Sequence, residues 1–339
     1  MVKNFSLSVA LVAALLTGAT ELACADTTNL IFATTEPAGS VDTTEVFQPW
    51  ADSIAKATKD AVHIDIREGF AIANSTNIYD RVQGDVVQIG ILIPSLIGGK
   101  FPLTDVAGLP FVTQDSMNAS AAFWRLYKTG AFDKEYKDIV PLGFGLFPPQ
   151  DVQLVKAPAT LDNLNGLRLR VVGKLSSELV TRLGATPMVI DPSDQYTALE
   201  RHTVDGVLSS WMSMGPLHLI DVTSYHIETS LGTGMFIVFM AHGKFAALPA
   251  SVQEAMMDNS GESLSRALGK GFEARAMTSR TPAAANPAKH TIVQLPPRET
   301  AEWAKAINPV VDEWTASHPG GVELLAAYRK LIAEATVGK

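Results

Sequence analysis

Residues 164–211 read LNGLRLRVVGKLSSELVTRLGATPMVIDPSDQYTALERHTVDGVLSSW. The Asn165-Gly166 pair predicts a tight turn, and the run with alternating sides that follows it predicts a strand. A helix and a second strand come next, and a second helix begins at Asp191-Pro192 and ends before Asp205-Gly206. This succession of strands and helices is typical of an α/β fold.

The strand after the turn carries two arginines on one side. Successive strand residues point to opposite faces, so Arg168 and Arg170 share a face and Leu169 lies on the other. The protein has a net charge of −8, which argues against nucleic acid or an anionic membrane as a partner. An acidic protein that binds an anion needs such a local cation. From the residues alone, Arg170 is explained equally well as an anion ligand or as part of a surface ion pair.

The same alternation of short β-branched runs and helical stretches extends from residue 29 to about residue 240. Two helices within this stretch bury aromatic residues at helical spacing, around Phe47 and Trp50 and around Phe123, which we assign to the core. We predict strands at Asn29–Ala33, Val62–Ile66, Gln88–Ile93, Val140–Phe144, Val152–Val155, Arg168–Val172, Met188–Ile190 and Phe236–Ala241.

The pattern becomes helical after Leu248. Pro249 suits a first helical turn, and the next proline is Pro282, which predicts one helix of about 30 residues. At 1.5 Å per residue it would be roughly 45 Å long, enough to cross two lobes. Two more helices, about residues 299–317 and 321–335, close the chain.

The first 25 residues are typical of a cleavable signal peptide. Lys3 precedes an apolar run from Leu7 to Thr17, and Ala23-Cys24-Ala25 is a small-x-small cleavage signal. We expect cleavage after Ala25 and export to the periplasm. Cys24 is the only cysteine, so the mature chain would hold no disulfide and no cysteine nucleophile. About 314 residues remain, a length that suits two lobes of roughly 150 residues each.

Common catalytic signatures are missing from the sequence: it contains no G-x-S-x-G, P-loop, G-x-G-x-x-G or H-E-x-x-H motif. The seven histidines lack metal-ligand spacing, so we predict no metal and no cofactor. Two G-x-G pairs, Gly143/Gly145 and Gly232/Gly234, predict tight turns or backbone facing a cleft. A periplasmic enzyme stays an alternative only if Glu36, His202 or His242 meet in that cleft.

The ordered motifs of residues 164–211 resemble the solute-binding subunits of tripartite ATP-independent periplasmic (TRAP) transporters, a family often named for dicarboxylate uptake. That family shows a strand G-[KR]-x-R, a helix [SDE]-x-Y-x-A-L and a D-G pair, and the counterparts here are residues 166–170, 194–199 and 205–206. Further matches at residues 101–103, 109–111, 248–249 and 258–261 extend the resemblance over most of the mature chain.

The resemblance implies an α/β, two-lobed periplasmic binding protein, a type II-like clamshell with a long helix spanning both lobes. Lobe I would comprise residues 26–149 and 237–276, and lobe II residues 150–236 and 277–339. Such a protein is not an enzyme; it closes on a small-molecule carboxylate and delivers it to the TRAP membrane permease subunits. We expect a monomer. A sensory subunit that reports to a membrane receptor is the alternative that shares every binding feature.

The resemblance also assigns the site. Arg170 matches the family's ligand arginine, whose planar fork can hold a carboxylate through two hydrogen bonds, whereas Arg168 is expected to flank the site. Ser210 stands where the most similar branch has a proline, and Ala241 where an asparagine is common. The other predicted ligand-binding residues are Ser209, Trp211, Thr35, Glu36, Phe70, Asn74, Ile93, Phe147 and Gln150.

The class of ligand follows from the expected cavity walls. Some relatives place a glutamate for polyhydroxylated acids where this chain has Leu92 and Ile93. Apolar walls would leave the hydroxyls of a sugar acid unpaired, at about 1–3 kcal/mol each. We therefore predict an aromatic or hydrophobic monocarboxylate, on whose ring Trp211, Phe70 and Phe147 could stack. Short dicarboxylates and 2-oxo acids are the alternatives.

Overall fold

The computed structural model describes residues 27–36, 38–69 and 71–337, so the predicted signal peptide and Phe70 lie outside the described residues. The strands are β1 (Thr28–Ala33), β2 (Val62–Arg67), β3 (Ile89–Leu92), β4 (Ile139–Leu146), β5 (Asp151–Leu154), β6 (Arg168–Val171), β7 (Thr186–Val189), β8 (Gly206–Ser209), β9 (Tyr225–Glu228), β10 (Met235–Ala241) and β11 (Thr291–Gln294). The helices are α1 (Gln48–Ala57), α2 (Ile78–Gln83), α3 (Ser116–Tyr127), α4 (Gly173–Arg182), α5 (Gln195–Glu200), α6 (Trp211–Met214), α7 (His242–Ala247), α8 (Ala250–Asp258), α9 (Gly261–Ala284), α10 (Pro297–Ser317) and α11 (Gly321–Val337).

The strands form two open sheets, ordered β2-β1-β3-β10-β4 and β11-β9-β5-β8-β6-β7. In the first sheet β1 runs parallel to β2 and β3, and β10 runs antiparallel to β3 and β4. In the second, β6 is parallel to β7 and β8, and β5 is antiparallel to β8 and β9. Each sheet is the centre of one lobe, which confirms the predicted two-lobed α/β fold.

Two connectors join the lobes side by side, one from β4 to β5 and one from β9 to β10. Phe147 N donates to Gly234 O at 2.9 Å, and Gln150 N donates to Gly232 O at 2.9 Å. The Thr233 hydroxyl adds a bond of 2.6 Å to the Phe147 carbonyl. Because the connectors are hydrogen-bonded to each other, they form one paired link between the sheets.

The predicted helix from Pro249 to Pro282 is divided into α8 and α9, so its predicted length was wrong. Gly261 has φ of +68°, and a Cβ at this position would lie 2.8 Å from the Trp124 ring. Glycine alone tolerates both conditions, and the neighbouring Ser260 hydroxyl accepts a hydrogen bond from Trp50 Nε1 at 3.0 Å. The 24 residues of α9 still span about 36 Å and pack against α3 and β4 of the first lobe and α6 of the second.

Gly143 and Gly145 lie inside β4 rather than in turns, so that prediction was wrong for this pair. A Cβ at Gly145 would lie 2.6 Å from the Phe272 ring, and one at Gly143 would lie 2.9 Å from Leu264. Leu264 and Phe272 both belong to α9. The two glycines therefore let the spanning helix approach the sheet closely. Gly232, with φ of +86°, lies in the connector from β9 to β10, where its N–H donates to Ser230 O at 2.9 Å.

The last helix returns to the first lobe, so its assignment to lobe II was wrong. The Tyr328 ring of α11 lies 5.7 Å from Phe123, and its hydroxyl donates to Ala119 O at 3.2 Å. By contrast, Trp303 and Ile307 of α10 belong to the core of the second lobe. The other lobe boundaries stay predictions.

The core contains the aromatic residues that helical spacing predicted for it, since Phe47 and Phe123 are fully buried and Trp50 nearly so. Within the described ranges, no helix is both long enough and apolar enough to cross a membrane.

Candidate functional site

A cavity of about 140 Å³ lies between the two sheets and is lined from both. Its first-lobe wall includes residues directly after β1 and β3, where parallel strands of an open α/β sheet present their carboxyl ends to ligands. The structure brings together here these predicted site residues: Thr35, Glu36, Ile93, Phe147, Gln150, Arg170 and Ser209.

Trp211 and Asn74 do not line this cavity. Trp211 begins α6, separated from the end of β8 by one residue, and turns into the interior, where its Nε1 donates to Glu228 at 2.9 Å. Its ring centroid lies 4.8 Å from that of His226. Asn74 instead shapes the turn before α2, since its Oδ1 accepts from the backbone nitrogen of Asn77 at 3.0 Å. The structure therefore places Trp211 outside the lining of the cavity.

Arg170 is buried on β6, between Met188 of β7 and Val207 of β8, and its side chain is only 3% exposed. Its Nε donates to the Ile190 carbonyl at 2.9 Å, while Nη2 has no hydrogen-bond partner among the described residues. Burial lowers the pKa of the guanidinium to about 10, so it is charged at neutral pH. An unmet buried donor costs about 1–3 kcal/mol, and an anion in the cavity would satisfy it.

The ion pair that was the alternative for Arg170 is formed by Arg168 instead. Arg168 is exposed, and its Nη2 lies 3.0 Å from Asp205 Oδ1 and 2.8 Å from the His202 carbonyl oxygen. The two arginines of β6 therefore have different surroundings although they share a face of the strand. Arg168 belongs to the outer surface, as expected for a flanking residue.

A second arginine of the lining, Arg275, comes from the spanning helix α9. Its Nη1 donates to the carboxylates of Glu36 and Asp42, and all three side chains are buried. Burial raises the pKa of Asp42 to about 6, with Arg275 opposing the rise and Glu36 adding to it. Asp42 Oδ1 and Arg275 Nε have no partner in the part of the chain that the structure describes.

Sequence reasoning missed Asp42 and Arg275 because no local pattern joins them. The two residues are 233 positions apart, and an arginine within a helix is most simply explained as a surface residue. It also missed Gln195, a cavity residue whose buried Oε1 has no partner among the described residues. Gln195 stands inside the D-Q-Y-T-A-L motif, which is the signal that could have found it.

The cavity also has an aromatic corner that was predicted only in part. Phe147 and Phe236 meet edge to face with centroids 4.7 Å apart, and both line the cavity. Phe236 was assigned only to a predicted strand. Asp105 lines another part of the wall, and its pKa is raised to about 6 by burial and by the neighbouring Glu135.

Behind Trp211, His226 is fully buried between two polar partners. Its Nδ1 lies 2.6 Å from Gln153 Oε1, and its Nε2 lies 3.1 Å from His290 Nδ1. Burial, together with His290, lowers the pKa of His226 to about 4. No three metal-binding side chains converge anywhere in the described ranges.

This histidine should make the protein sensitive to acid. The unfolded chain takes up a proton on His226 near pH 6.5, whereas the folded protein does so only near pH 4, so its contribution is present above pH 6.5 and lost as the pH falls. Between pH 7.5 and pH 5, wild type should lose about 2 kcal/mol of unfolding free energy more than His226→Gln does. Urea unfolding at the two pH values measures this, and His63→Gln, an exposed site, should keep the wild-type loss. Equal losses in wild type and His226→Gln would contradict the assignment.

Two α/β lobes, a paired connector, a spanning helix and a buried arginine between the lobes define a periplasmic solute-binding protein. The profile of bacterial extracellular solute-binding protein family 7 matches residues 32–317, and the chain belongs to this family. The TRAP resemblance of residues 164–211 is thereby confirmed. Proteins of this family are periplasmic receptors of TRAP transporters rather than enzymes.

Individual relatives are identical to this chain at about a fifth to a quarter of the aligned positions. The outer membrane transporter protein TsaT of Comamonas testosteroni is 25% identical over 230 residues, which are 66% of this chain and 67% of that protein. A TRAP solute-binding protein of Rhodoferax ferrireducens, solved with copurified benzoate, is 25% identical with a TM-score of 0.85, over 92% of this chain and 99% of that one. A TRAP periplasmic solute-binding protein of Bordetella bronchiseptica, solved with both enantiomers of mandelate, is 21% identical with a TM-score of 0.82, over 90% of this chain and 99% of that one. At this identity the likeness shows the fold alone.

Proposed function

We propose that this chain is the receptor of a TRAP transporter for an aromatic monocarboxylate, with Arg170 as the carboxylate anchor. The observation that carries the proposal is the buried Arg170 guanidinium at the wall of the cavity, whose Nη2 has no partner in the described ranges of the chain. A ligand carboxylate can take two charge-assisted hydrogen bonds from such a fork. Ser209, at the end of β8, lies on the same wall and offers a hydroxyl.

The dimensions of the cavity support a single ring. Its volume of about 140 Å³ is close to the ~150 Å³ of an apolar protein cavity that holds benzene. Phe147, Phe236 and Ile93 supply apolar and aromatic surface, and edge-to-face contacts favour an aromatic guest. The benzoate of the Rhodoferax ferrireducens protein is a ligand of this kind. In this proposal Phe147 and Phe236, rather than Trp211, contact the ring.

Delivery without chemical change is the second part of the proposal. The enzyme alternative needed Glu36, His202 and His242 to meet, but only Glu36 lines the cavity, and both histidines are exposed. We further propose that the mature chain begins after Ala25 and acts as a monomer that passes its ligand to the permease subunits. Uptake in vesicles that contain the permease separates this function from that of a sensory subunit, which would support no uptake.

A screen of organic acids by thermal shift tests the ligand class. Benzoate and mandelate should raise the melting temperature, because a ligand at 100 times its Kd adds about 2.7 kcal/mol to the unfolding free energy. Succinate and pyruvate, which represent the dicarboxylate and 2-oxo acid alternatives, should leave it unchanged. A shift with succinate or pyruvate and none with an aromatic acid would refute the proposed class.

A further inference from the structure

We propose that Glu36 makes the cavity selective for acids with a single carboxylate, because it occupies Arg275, the second arginine of the lining. This inference rests on the proposed function, since it concerns the same cavity. It assigns Glu36 a part in specificity as an internal substitute for a second ligand carboxylate.

The cavity is lined by two cations from opposite lobes. Among the described residues, two cationic side chains line the cavity, and both are arginines: Arg170 on β6 and Arg275 on α9. Both side chains are more than nine-tenths buried, so their charges are poorly screened by solvent. Two guanidinium groups without carboxylate partners in such a space would favour a ligand with two carboxylates. Within the described residues Arg170 has no ion pair, whereas Arg275 has two.

The protein's own carboxylates form ion pairs with Arg275, although its Nε has no partner among the described residues. Its Nη1 donates to Glu36 and to Asp42, so the cluster holds one positive and two potential negative charges. Glu36 lines the cavity and Asp42 does not. A second carboxylate on a ligand would therefore meet Glu36 and be repelled by it, because like charges at short range in a buried site disfavour each other. A ligand with one carboxylate on Arg170 meets no such penalty.

Anchoring of α9 to the first lobe does not by itself account for this cluster. A single carboxylate would neutralise Arg275, and a buried ion pair is in any case weak evidence of stabilisation. The second carboxylate adds an uncompensated charge and leaves Asp42 Oδ1 without a partner among the described residues. Placing an unfavourable charge against the wrong ligand is a recognised way to obtain specificity. Discrimination between ligands gives the surplus charge a function.

The test compares benzoate with terephthalate, which carries a second carboxylate on the same ring. By calorimetry, wild type should bind terephthalate at least 100-fold more weakly than benzoate. Glu36→Gln keeps the size of the side chain and an acceptor for Arg275 but removes the charge. This variant should lower the ratio of the terephthalate Kd to the benzoate Kd at least tenfold.

Two further variants separate the position of the charge from its amount. Glu45→Gln removes an equal charge from the exposed side of the π-helical segment Thr43–Phe47 that follows Asp42, and should leave the ratio within twofold of wild type. Asp42→Asn neutralises the cluster but leaves Glu36 in the wall, and should lower the ratio at least threefold. This variant carries the test alone if circular dichroism shows that Glu36→Gln does not fold.

The outcomes are distinct. If wild type binds neither acid, the proposed function fails. If wild type binds benzoate and Glu36→Gln leaves the ratio of the terephthalate Kd to the benzoate Kd unchanged, only the present inference is overturned. If Glu36→Gln does not fold, an unchanged ratio in Asp42→Asn overturns the inference in the same way. The inference is also overturned if Glu45→Gln lowers this ratio as much as Glu36→Gln does, because the net charge of the protein rather than Glu36 would then set the preference.

Discussion

Replacement of Arg170 by alanine should weaken the binding of benzoate by about 2–5 kcal/mol, which is roughly 1.5 to 3.5 decades in Kd. The guanidinium is buried, and its Nη2 lacks a partner among the described residues, so a bound carboxylate gains a charge-assisted contact there. Calorimetric titration of the purified mature protein measures the loss. The fold should persist, because the Nε bond to the Ile190 carbonyl is the only hydrogen bond of this side chain within the described structure.

Arg168→Ala is the matched control for this variant. It removes an identical side chain from the same strand, two residues away, but the removed group is exposed and paired with Asp205. Exposed pairs contribute about 0–1 kcal/mol, so the Kd should stay within a few-fold of wild type. Equal effects of the two substitutions, or full affinity in Arg170→Ala, would show that Arg170 is not the anchor.

Phe272→Ala should lower the unfolding free energy by about 3–5 kcal/mol, because it empties a fully buried aromatic position. The Phe272 ring lies 5.4 Å from that of Phe147 and 5.5 Å from that of Phe236. It therefore supports the aromatic corner of the cavity from behind. Urea unfolding followed by tryptophan fluorescence measures the loss, and benzoate should bind more weakly as the corner loosens.

Met277→Ala serves as the control on the same helix, since this methionine is largely exposed. Surface substitutions usually change stability by no more than about 0.5 kcal/mol. If Phe272→Ala unfolds at the same urea concentration as Met277→Ala, α9 does not carry the packing between β4 and the connectors that the structure assigns to it.

Much of the fold was predictable because it depends on local chemistry. Runs of β-branched and aromatic residues located β1 to β7 and β10 to within a few residues, since such side chains suit a half-buried pleated surface. The strands β8, β9 and β11 were missed. Each is a four-residue strand whose place in the sheet depends on pairing with a strand distant in the chain: β8 and β9 pair with β5, and β11 pairs with β9.

The site was predictable where motif and strand geometry agreed. Arg170, Ser209, Phe147 and Glu36 all line one cavity, although they come from both lobes and a connector. Trp211 was misplaced because a strand end and a helix start are separated there by one residue, and the direction of its side chain depends on the helix. No sequence pattern reports that direction, which Glu228 and His226 settle.

The sequence by itself determined the α/β class, the position of the TRAP motifs and the placement of Arg170 on a strand, because alternation, turn chemistry and composition act over a few residues. Only the tertiary structure decided that Gly261 interrupts the long helix, that α11 returns to the first lobe, and that Arg275 meets Glu36 and Asp42. These contacts join residues more than a hundred positions apart. Their energies come from burial and ion pairing that exist only after the lobes have packed, so no local pattern carries them.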